Sequence, residues 1–153
     1  MLKITQEKRM SYFGFILIAI LSALLYIKTL FFELTFLDDN IWLIDYRHYF
    51  LYLDNLLKIF MTADINGLYY RPIITLSFLV DSKLSIFFPY IFRITNIVLH
   101  VINASLVFIL LKKFNYKEGA ALAFALIFTA HPALVQAVAW IPGRTDSLLS
   151  LFA

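Results

Sequence analysis

Long apolar runs separated by short polar segments are the main pattern along this chain. Residues 12–32 and 90–111 are almost entirely apolar, and residues 117–131 form a shorter run of the same kind. Because an α-helix crosses a hydrocarbon core of about 30 Å with about 20 residues, these runs predict about three transmembrane helices. Another apolar run begins near residue 146, which predicts the start of a fourth span.

The segment between the first two spans, residues 37–89, is expected to form a loop outside the membrane. Its second half carries Asp81 and Lys83, which argue against a lipid-facing span. Apolar residues recur there at steps of three and four, a pattern typical of a helix lying in the membrane interface. We therefore predict an interfacial amphipathic helix over residues 73–88, with apolar positions at Ile73, Leu76, Val80, Leu84 and Phe87.

The composition supports a membrane protein. Hydrophobic residues make up 62% of the chain and charged residues 15%, with a mean hydropathy of +0.83. A water-soluble domain is close to half apolar and a quarter charged, so the soluble and disordered classes are excluded. The absence of cysteine excludes disulfides and thiolate metal sites. A scattered net charge of +3 does not indicate a nucleic-acid partner. The predicted fold class is an all-α integral membrane protein.

Basic residues predict the orientation. They lie before the first span and in the turn 112–117, and the positive-inside rule places both in the cytoplasm. The loop 37–89, with the acidic residues Asp38, Asp39, Asp45, Asp54 and Asp64, then faces the periplasm or exterior of an inner-membrane protein. Because the chain ends seven residues after Asp146 inside an apolar run, we expect it to be the amino-terminal fragment of a longer protein.

Two polar clusters lie in the outer loop. The pair Asp38–Asp39 follows the first span; it could supply a general base, bind a divalent cation, or cap the next short helix. Arg71 follows two tyrosines and precedes Pro72. Its guanidinium could bind a phosphate with two hydrogen bonds, or anchor to lipid headgroups, with the proline in the first turn of a helix.

Further polar residues lie in and after the second span. Steps of three and four place one stripe on the inner face of that helix, and for Asn96 and Asn103 we predict interhelical hydrogen bonds; the stripe is Arg93, Asn96, His100 and Asn103. The segment after the third span could be a re-entrant connection with a structural Arg144–Asp146 pair. It could also join one functional site with the loop, because seven polar residues are expected on the same side: Asp38, Asp39, Arg71, His131, Gln136, Arg144 and Asp146.

The order of these motifs resembles the amino-terminal part of the transmembrane and tetratricopeptide-repeat (TMTC-type) proteins and their bacterial relatives, which are GT-C glycosyltransferases similar to protein O-mannosyltransferases. The motifs are the Asp-Asp pair, Tyr-Arg-Pro-Ile, Asn-x-x-Leu-His, and His-Pro-x-x-x-Gln-Ala-Val-Ala-Trp-Ile-Pro-Gly-Arg-x-Asp. The last run is the most specific, and the resemblance covers about residues 36–153. It implies a GT-C-type helical bundle, of which this chain would be a truncated part.

The resemblance implies transfer of a sugar from a polyprenyl-phosphate carrier to an acceptor hydroxyl, on a protein or a glycan, at the outer face. Asp38 or Asp39 would deprotonate the acceptor, and Arg71 and Arg144 would neutralise the lipid phosphate. The remaining candidates for substrate binding are His131, Gln136 and Asp146. The resemblance implies neither a metal nor another cofactor.

Two departures from the family pattern limit the expectation. Gln136 stands where many relatives carry glutamate, and the later spans and repeats of the family are not in this chain. The fragment alone is therefore expected to be inactive. Two other functions stay open at this point: a non-enzymatic scaffold or accessory subunit of glycan export, and a transporter fragment in which His100 and Asn103 line a pathway.

Overall fold

The computed structural model describes residues 2–35, 38–45, 49, 52, 55–63, 69–84 and 89–153, with side chains from residue 11 onwards except that of Asp38. Every regular element in these residues is helical, as the predicted fold class requires. Asp54, Asp64 and residues 85–88, which end the predicted interfacial helix, lie outside the described residues.

The helices follow one another with short connections. Helix α1 covers Leu2–Tyr26 and continues as a 3-10 turn over Ile27–Phe31; α2 covers Asp38–Asn40 and continues as a π-helical turn over Ile41–Asp45. The remaining helices are α3 (Asn55–Met61), α4 (Pro72–Leu84), α5 (Tyr90–Lys113), α6 (Glu118–Ala130), α7 (Val135–Ala139, after a 3-10 turn over Pro132–Leu134) and α8 (Arg144–Phe152).

Two helical segments are long and apolar enough to cross a membrane, Ser11–Phe31 and Tyr90–Lys113, each with a mean hydropathy of 2.2. Large apolar side chains such as Ile16, Leu24 and Val98 are exposed along them. Such side chains are stable on a surface that faces lipid, because hydrocarbon solvates them without a hydrophobic penalty. The chain is accordingly an integral membrane protein.

Helix α5 is the central element, and it passes through two apolar clusters. Its second half packs through Ala104 and Phe108 against α1 and α6, where Ile18, Ala121 and Ala125 complete a three-helix cluster. Its first half belongs to a second cluster formed with α2, α3, α4 and α8. The members of that cluster are Trp42, Leu43, Ile59, Ile74, Phe78, Leu79, Phe92, Leu99, Ile141 and Leu148. The polar features described below lie around this second cluster.

A tight turn at residues 113–117 returns the chain from α5 to α6. Asn115 adopts a left-handed conformation with φ of 63°. The N–H groups of Tyr116 and Asn115 donate to the carbonyls of Leu111 and Lys112, at 3.1 and 3.0 Å. These bonds satisfy the last carbonyls of α5 in the pattern of a Schellman cap, which lets α6 pack antiparallel to α5.

The third apolar helix, α6, ends partway along α5. Helix α6 ends beside His100, where Nε2 of that ring lies 3.0 Å from the carbonyl oxygen of Thr129. This point is ten residues into α5, about 15 Å along its axis. The chain does not leave the bundle there: Glu118–Ala130 and Pro132–Ala139 together are long and apolar enough for a third crossing, bent by 50° at His131.

Helix α4 forms within the segment predicted as an interfacial helix. Pro72 occupies its first turn, as expected for a residue without a free N–H. Ile73, Val80 and Leu84 are exposed, as a lipid-facing stripe would be. The opposite side packs against the protein and includes a charged residue, since the buried positions are Ile74, Thr75, Phe78, Leu79 and Asp81.

Candidate functional site

A cleft of about 330 Å³ opens between α4 and the segment 140–146. On one side lie residues at the start of α4, and on the other the turn that leads into α8. Among the residues that the structure describes, aromatic rings form much of the wall, and a cation and a carboxylate reach it. The lining residues are Trp42, Tyr69, Arg71, Ile74, Phe78, Trp140, Pro142, Gly143, Thr145 and Asp146.

Arg71 is the cation at this cleft. Its side chain is exposed, and its guanidinium carbon lies 4.3 Å from the centre of the Tyr69 ring. A guanidinium against an aromatic face is held by a cation–π interaction while its N–H groups stay available to a ligand. Asp146, which is also exposed, lines the same cleft. The structure thus brings together two of the residues singled out in the sequence.

Asp39 is fully buried and does not line the cleft, although it lies three residues before the lining residue Trp42. Its Oδ2 accepts a hydrogen bond from the backbone N–H of Thr35 at 2.8 Å, while its Oδ1 has no hydrogen-bond partner. The charge of Asp39 also acts on the buried Arg93. A buried carboxylate oxygen without a partner is unfavourable by itself, so Asp39 has unused capacity to accept a proton or a hydrogen bond. The side chain of Asp38 lies outside the described residues.

Arg144 lies behind the cleft rather than in it. Its side chain is fully buried, and Nε donates to Asn96 Oδ1 at 2.9 Å. Nη1 donates to the hydroxyl of Ser77 at 3.1 Å, and Nη2 donates to the carbonyl of Phe92 at 2.8 Å. The Nη2 atom also lies 2.5 Å from Asp81 Oδ2, forming a buried ion pair. All these partners belong to α4 and α5, so Arg144 fixes the start of α8 to both helices.

The ion pair corrects one expectation drawn from the sequence. Arg144 pairs with Asp81, 63 positions earlier in the chain, and not with Asp146. Positions two apart on a helix do not face each other, and Asp146 points to the surface. Burial raises the pKa of the Asp81 carboxyl above its ordinary value, and the Arg144 guanidinium and the Thr95 hydroxyl oppose that rise. Thr95 donates to Asp81 Oδ1 at 2.8 Å.

Two side chains of the α5 stripe form the interhelical hydrogen bonds that we predict for them. The Nδ2 atom of Asn103 donates to the carbonyl of Ser147 in α8 at 2.8 Å. The Nδ2 atom of Asn96 lies within 3.0–3.3 Å of three carbonyls, that of Val138 in α7 and those of Trp140 and Ile141 in the turn after it. These contacts tie α5 to the end of α7, to the turn after it and to α8.

Arg93 completes this set of contacts. Its guanidinium donates to three carbonyls, those of Phe32, Glu33 and Ala139, at 3.2, 2.9 and 3.0 Å. It therefore connects the end of the first span with the end of α7. With Asn96 and Asn103 it holds the segment 138–147 in place, and that segment forms one wall of the cleft.

The remaining candidates do not line the cleft. His131 is exposed at the bend after α6, where its Nδ1 accepts from the N–H of Ala133 at 3.2 Å and caps the following 3-10 turn. The side chain of Gln136 is also exposed, and its carbonyl accepts from the N–H of Trp140 at 3.3 Å. In the described residues, no group of three or more histidine or acidic side chains is placed to hold a metal ion.

The sequence pattern predicts neither the role of Asp81 nor the partners of Arg93. One signal pointed towards Asp81: a carboxylate in the middle of an apolar segment requires a partner of opposite charge. Sequence alone does not identify that partner, because Arg71, Arg93 and Arg144 are all available as counterions.

Gly143 lets the turn before α8 lie close to the backbone of Gln136 and Trp140. Its replacement by alanine is expected to destabilise the protein. A Cβ atom there would lie 2.3 Å from the Gln136 carbonyl oxygen and 3.0 Å from that of Trp140. Both contacts are with backbone, so relief requires a shift of the turn, at a cost of about 1–3 kcal/mol. Thermal unfolding of the purified protein in detergent tests this through a lower Tm for Gly143→Ala.

Gly119 provides the matched control, since nothing lies within 4 Å of a Cβ at that position in α6. Gly119→Ala is expected to keep the wild-type Tm or raise it, because alanine is the better helix former by about 1 kcal/mol. Equal Tm values for Gly143→Ala and Gly119→Ala would contradict the close backbone contacts at Gly143.

Comparison with known proteins shows similarity to protein O-mannosyl-transferases. Over 83 residues, 54% of this chain, it is 36% identical to Protein O-mannosyl-transferase TMTC1 of Mus musculus and to its Homo sapiens counterpart. Over the same extent it is 29% identical to Protein O-mannosyl-transferase TMTC3 of Homo sapiens. The matched part covers 9% of the length of each of these relatives.

No family model and no solved structure matches the chain. The observations that bear on function are the similarity to the mannosyl-transferases, the apolar helices and the polar cleft. The similarity supports a TMTC-like relationship and a glycosyltransferase-like role for this membrane protein.

Proposed function

We propose that this chain supplies the first helices and part of the substrate site of a GT-C-type membrane glycosyltransferase. The sugar would pass from a polyprenyl-phosphate carrier to an acceptor hydroxyl, on a protein or a glycan, at the outer membrane face. The observation that carries this proposal is the cleft, which combines an exposed guanidinium, a carboxylate and four large aromatic rings. Its volume of about 330 Å³ is within the range of small-molecule sites.

In this proposal Arg71 binds the phosphate of the donor. A guanidinium forms short, charge-assisted hydrogen bonds to phosphate oxygens, and often two at once. As the bond between the anomeric carbon and the phosphate oxygen breaks, its electron pair remains on the phosphate. The cation then stabilises the charge that develops on the leaving group.

Asp39 is the proposed general base, with Asp38 as the alternative within the pair. It takes the proton of the acceptor hydroxyl while the hydroxyl oxygen attacks the anomeric carbon. The unpaired Oδ1 of Asp39 supports this assignment, because that oxygen is free to accept the proton. Trp42 connects the short helix that carries Asp39 to the wall of the cleft.

The other candidates have more distant roles in this proposal. Asp146 lines the cleft and would bind sugar hydroxyls, which carboxylates accept as hydrogen-bond donors. Arg144 would act by holding the cleft wall, since all its contacts are internal. His131 and Gln136 would meet the substrate only from outside the cleft described here, on the exposed side of the broken third helix.

Exchange of Arg71 tests the proposal through the donor. We expect Arg71→Ala to raise the KM for a polyprenyl-phosphate sugar by roughly 10- to 100-fold, because a charged hydrogen bond contributes about 1.5–3 kcal/mol. Arg71→Lys should lie between Ala and wild type, since lysine keeps the charge and loses the paired geometry. The measurement is sugar transfer by membranes that contain the full polypeptide.

Lys113→Ala is the charge-matched control, because Lys113 is exposed at the opposite end of α5. It should leave the KM for the donor unchanged. A donor KM that is the same for wild type, Arg71→Ala and Lys113→Ala would remove Arg71 from the phosphate site.

The proposed orientation has its own test. Ala63 and Asn115 are both exposed, one in the predicted outer loop and the other in the turn between α5 and α6. Because the chain has no native cysteine, a cysteine introduced at either position is labelled selectively. We expect an impermeant thiol reagent added from outside to label Ala63→Cys and not Asn115→Cys. Labelling of both from outside would contradict a cytoplasmic amino terminus and an outer site.

A further inference from the structure

A buried ion pair directly supports the cleft, although neither of its members lines it. Asp81 is 3% exposed and Arg144 is fully buried. The guanidinium of Arg144 lies over the ring of Phe78, with its carbon 4.6 Å from the ring centre. Phe78 itself lines the cleft from α4. The ion pair and the cleft are therefore separated by a single aromatic ring.

The two walls of the cleft come from the two segments that the ion pair joins. Ile74 and Phe78 of α4 belong to one wall, and Asp81 is the next turn of the same helix. Gly143 and Thr145, the two neighbours of Arg144, belong to the other wall. The distance between the walls consequently depends on the contact between Asp81 and Arg144.

Other contacts of Arg144 do not replace this one. Asn96 and the carbonyl of Phe92 bind the guanidinium to α5, which does not line the cleft. Among the described residues of α4, the guanidinium contacts the Ser77 hydroxyl at 3.1 Å, the Phe78 ring and the Asp81 carboxylate at 2.5 Å, and of these three Asp81 carries the charge. Asp81 is in turn fixed by the Thr95 hydroxyl of α5.

We propose that Asp81 is a positioning residue for donor binding: its ion pair with Arg144 holds the segment 140–146 against α4 and so sets the width of the cleft. The assignment to donor binding rests on the function proposed above. The geometric part, that Asp81 holds the cleft wall, does not depend on it.

The geometric part is tested by thiol labelling in the full polypeptide. Thr145 lies on the wall and is partly buried, with its hydroxyl donating to the Pro142 carbonyl at 3.1 Å. In a Thr145→Cys background, with any cysteine outside this sequence replaced, we expect Asp81→Asn to raise the labelling rate by roughly 5- to 30-fold. Lys83→Gln, an exposed charge on the same helix, should leave the rate unchanged.

A second variant keeps the test decisive if Asp81→Asn alone does not fold. Asp81→Asn combined with Arg144→Gln leaves no uncompensated charge in the interior, and it should accumulate in membranes and show the same faster labelling. Wild-type labelling rates in both the single and the double variant would overturn the positioning role, whatever the activity.

The functional part is read from kinetics. With Asp81→Asn the KM for the polyprenyl-phosphate donor should rise while the KM for the acceptor stays the same, and Lys83→Gln should change neither. Faster labelling with an unchanged donor KM would overturn the link to donor binding. Faster labelling in a protein whose wild type transfers no sugar would instead refute the proposed function and leave Asp81 as the residue that sets the cleft.

Discussion

Replacing Asp39 by asparagine is expected to reduce sugar transfer by about 10²- to 10⁴-fold, the contribution of a positioned general base. Asparagine has nearly the same shape, and its carbonyl oxygen can still accept the hydrogen bond that Asp39 receives from the Thr35 N–H. Folding should therefore be preserved, while the group that accepts the proton of the acceptor hydroxyl is lost. The measurement is the transfer rate at saturating donor and acceptor, with the amount of protein in the membrane quantified in parallel.

Asp45→Asn is the control for this experiment. Asp45 ends the π-helical turn that follows Asp39, and it is exposed. The same chemical change at this position should leave transfer within the variation of the wild type. Normal transfer by Asp39→Asn would shift the base to Asp38, and normal transfer by the variant with both Asp38→Asn and Asp39→Asn would rule out the pair as catalytic.

The second large effect is expected on stability, from Arg144→Leu. The substitution leaves Asp81 buried without its counterion, and the loss of one partner of such a pair costs about 3–5 kcal/mol. Asn96 and the Phe92 carbonyl would lose their partner as well. We expect Arg144→Leu to be largely unfolded or degraded, which is measured as its steady-state amount in membranes and its Tm in detergent.

Removing both charges should reverse much of this loss. When a buried ion pair is replaced by apolar residues of similar size, the change in stability is often small or favourable. The double variant Asp81→Leu, Arg144→Leu should therefore be more stable than Arg144→Leu alone. If the double variant is less stable than the single variant, the two side chains contribute independently and the ion pair is not the source of the effect.

The apolar pattern predicts the main helices because hydropathy and length are local properties of the chain. The first predicted span, residues 12–32, corresponds to a helical segment at Ser11–Phe31, and the second, residues 90–111, lies inside Tyr90–Lys113. The predicted interfacial helix begins one residue earlier than expected because Pro72 fits the first turn.

The bend in the third helix is harder to predict from the pattern. Proline disfavours the helical conformation of the preceding residue, so His131–Pro132 indicates the end of a helix. It does not indicate whether the chain then leaves the membrane. Here residues 132–139 are apolar apart from Gln136, and Asn96 and Arg93 of α5 donate to the carbonyls of Val138 and Ala139 at their end, so the chain continues along the bundle.

The partners of buried charges are determined by packing, which the sequence does not show. Arg144 has a carboxylate two positions away in Asp146, yet its partner is Asp81 on another helix. The stripe on α5 is predictable from its spacing, and the residues that it binds are not. For the cleft, the sequence identifies Arg71 and Asp146, whereas the aromatic wall of Trp42 and Trp140 and the support by Asp81 require the fold.

The central claim is that this chain belongs to an enzyme that transfers sugar from a polyprenyl phosphate. It is tested most directly by incubating membranes that contain the native polypeptide with a radiolabelled polyprenyl-phosphate hexose and measuring label in protein and glycan. The account predicts label incorporation that disappears when the gene is deleted and returns with the wild-type sequence but not with Asp38→Asn, Asp39→Asn. Equal incorporation with and without the gene, or full restoration by the double variant, would contradict it.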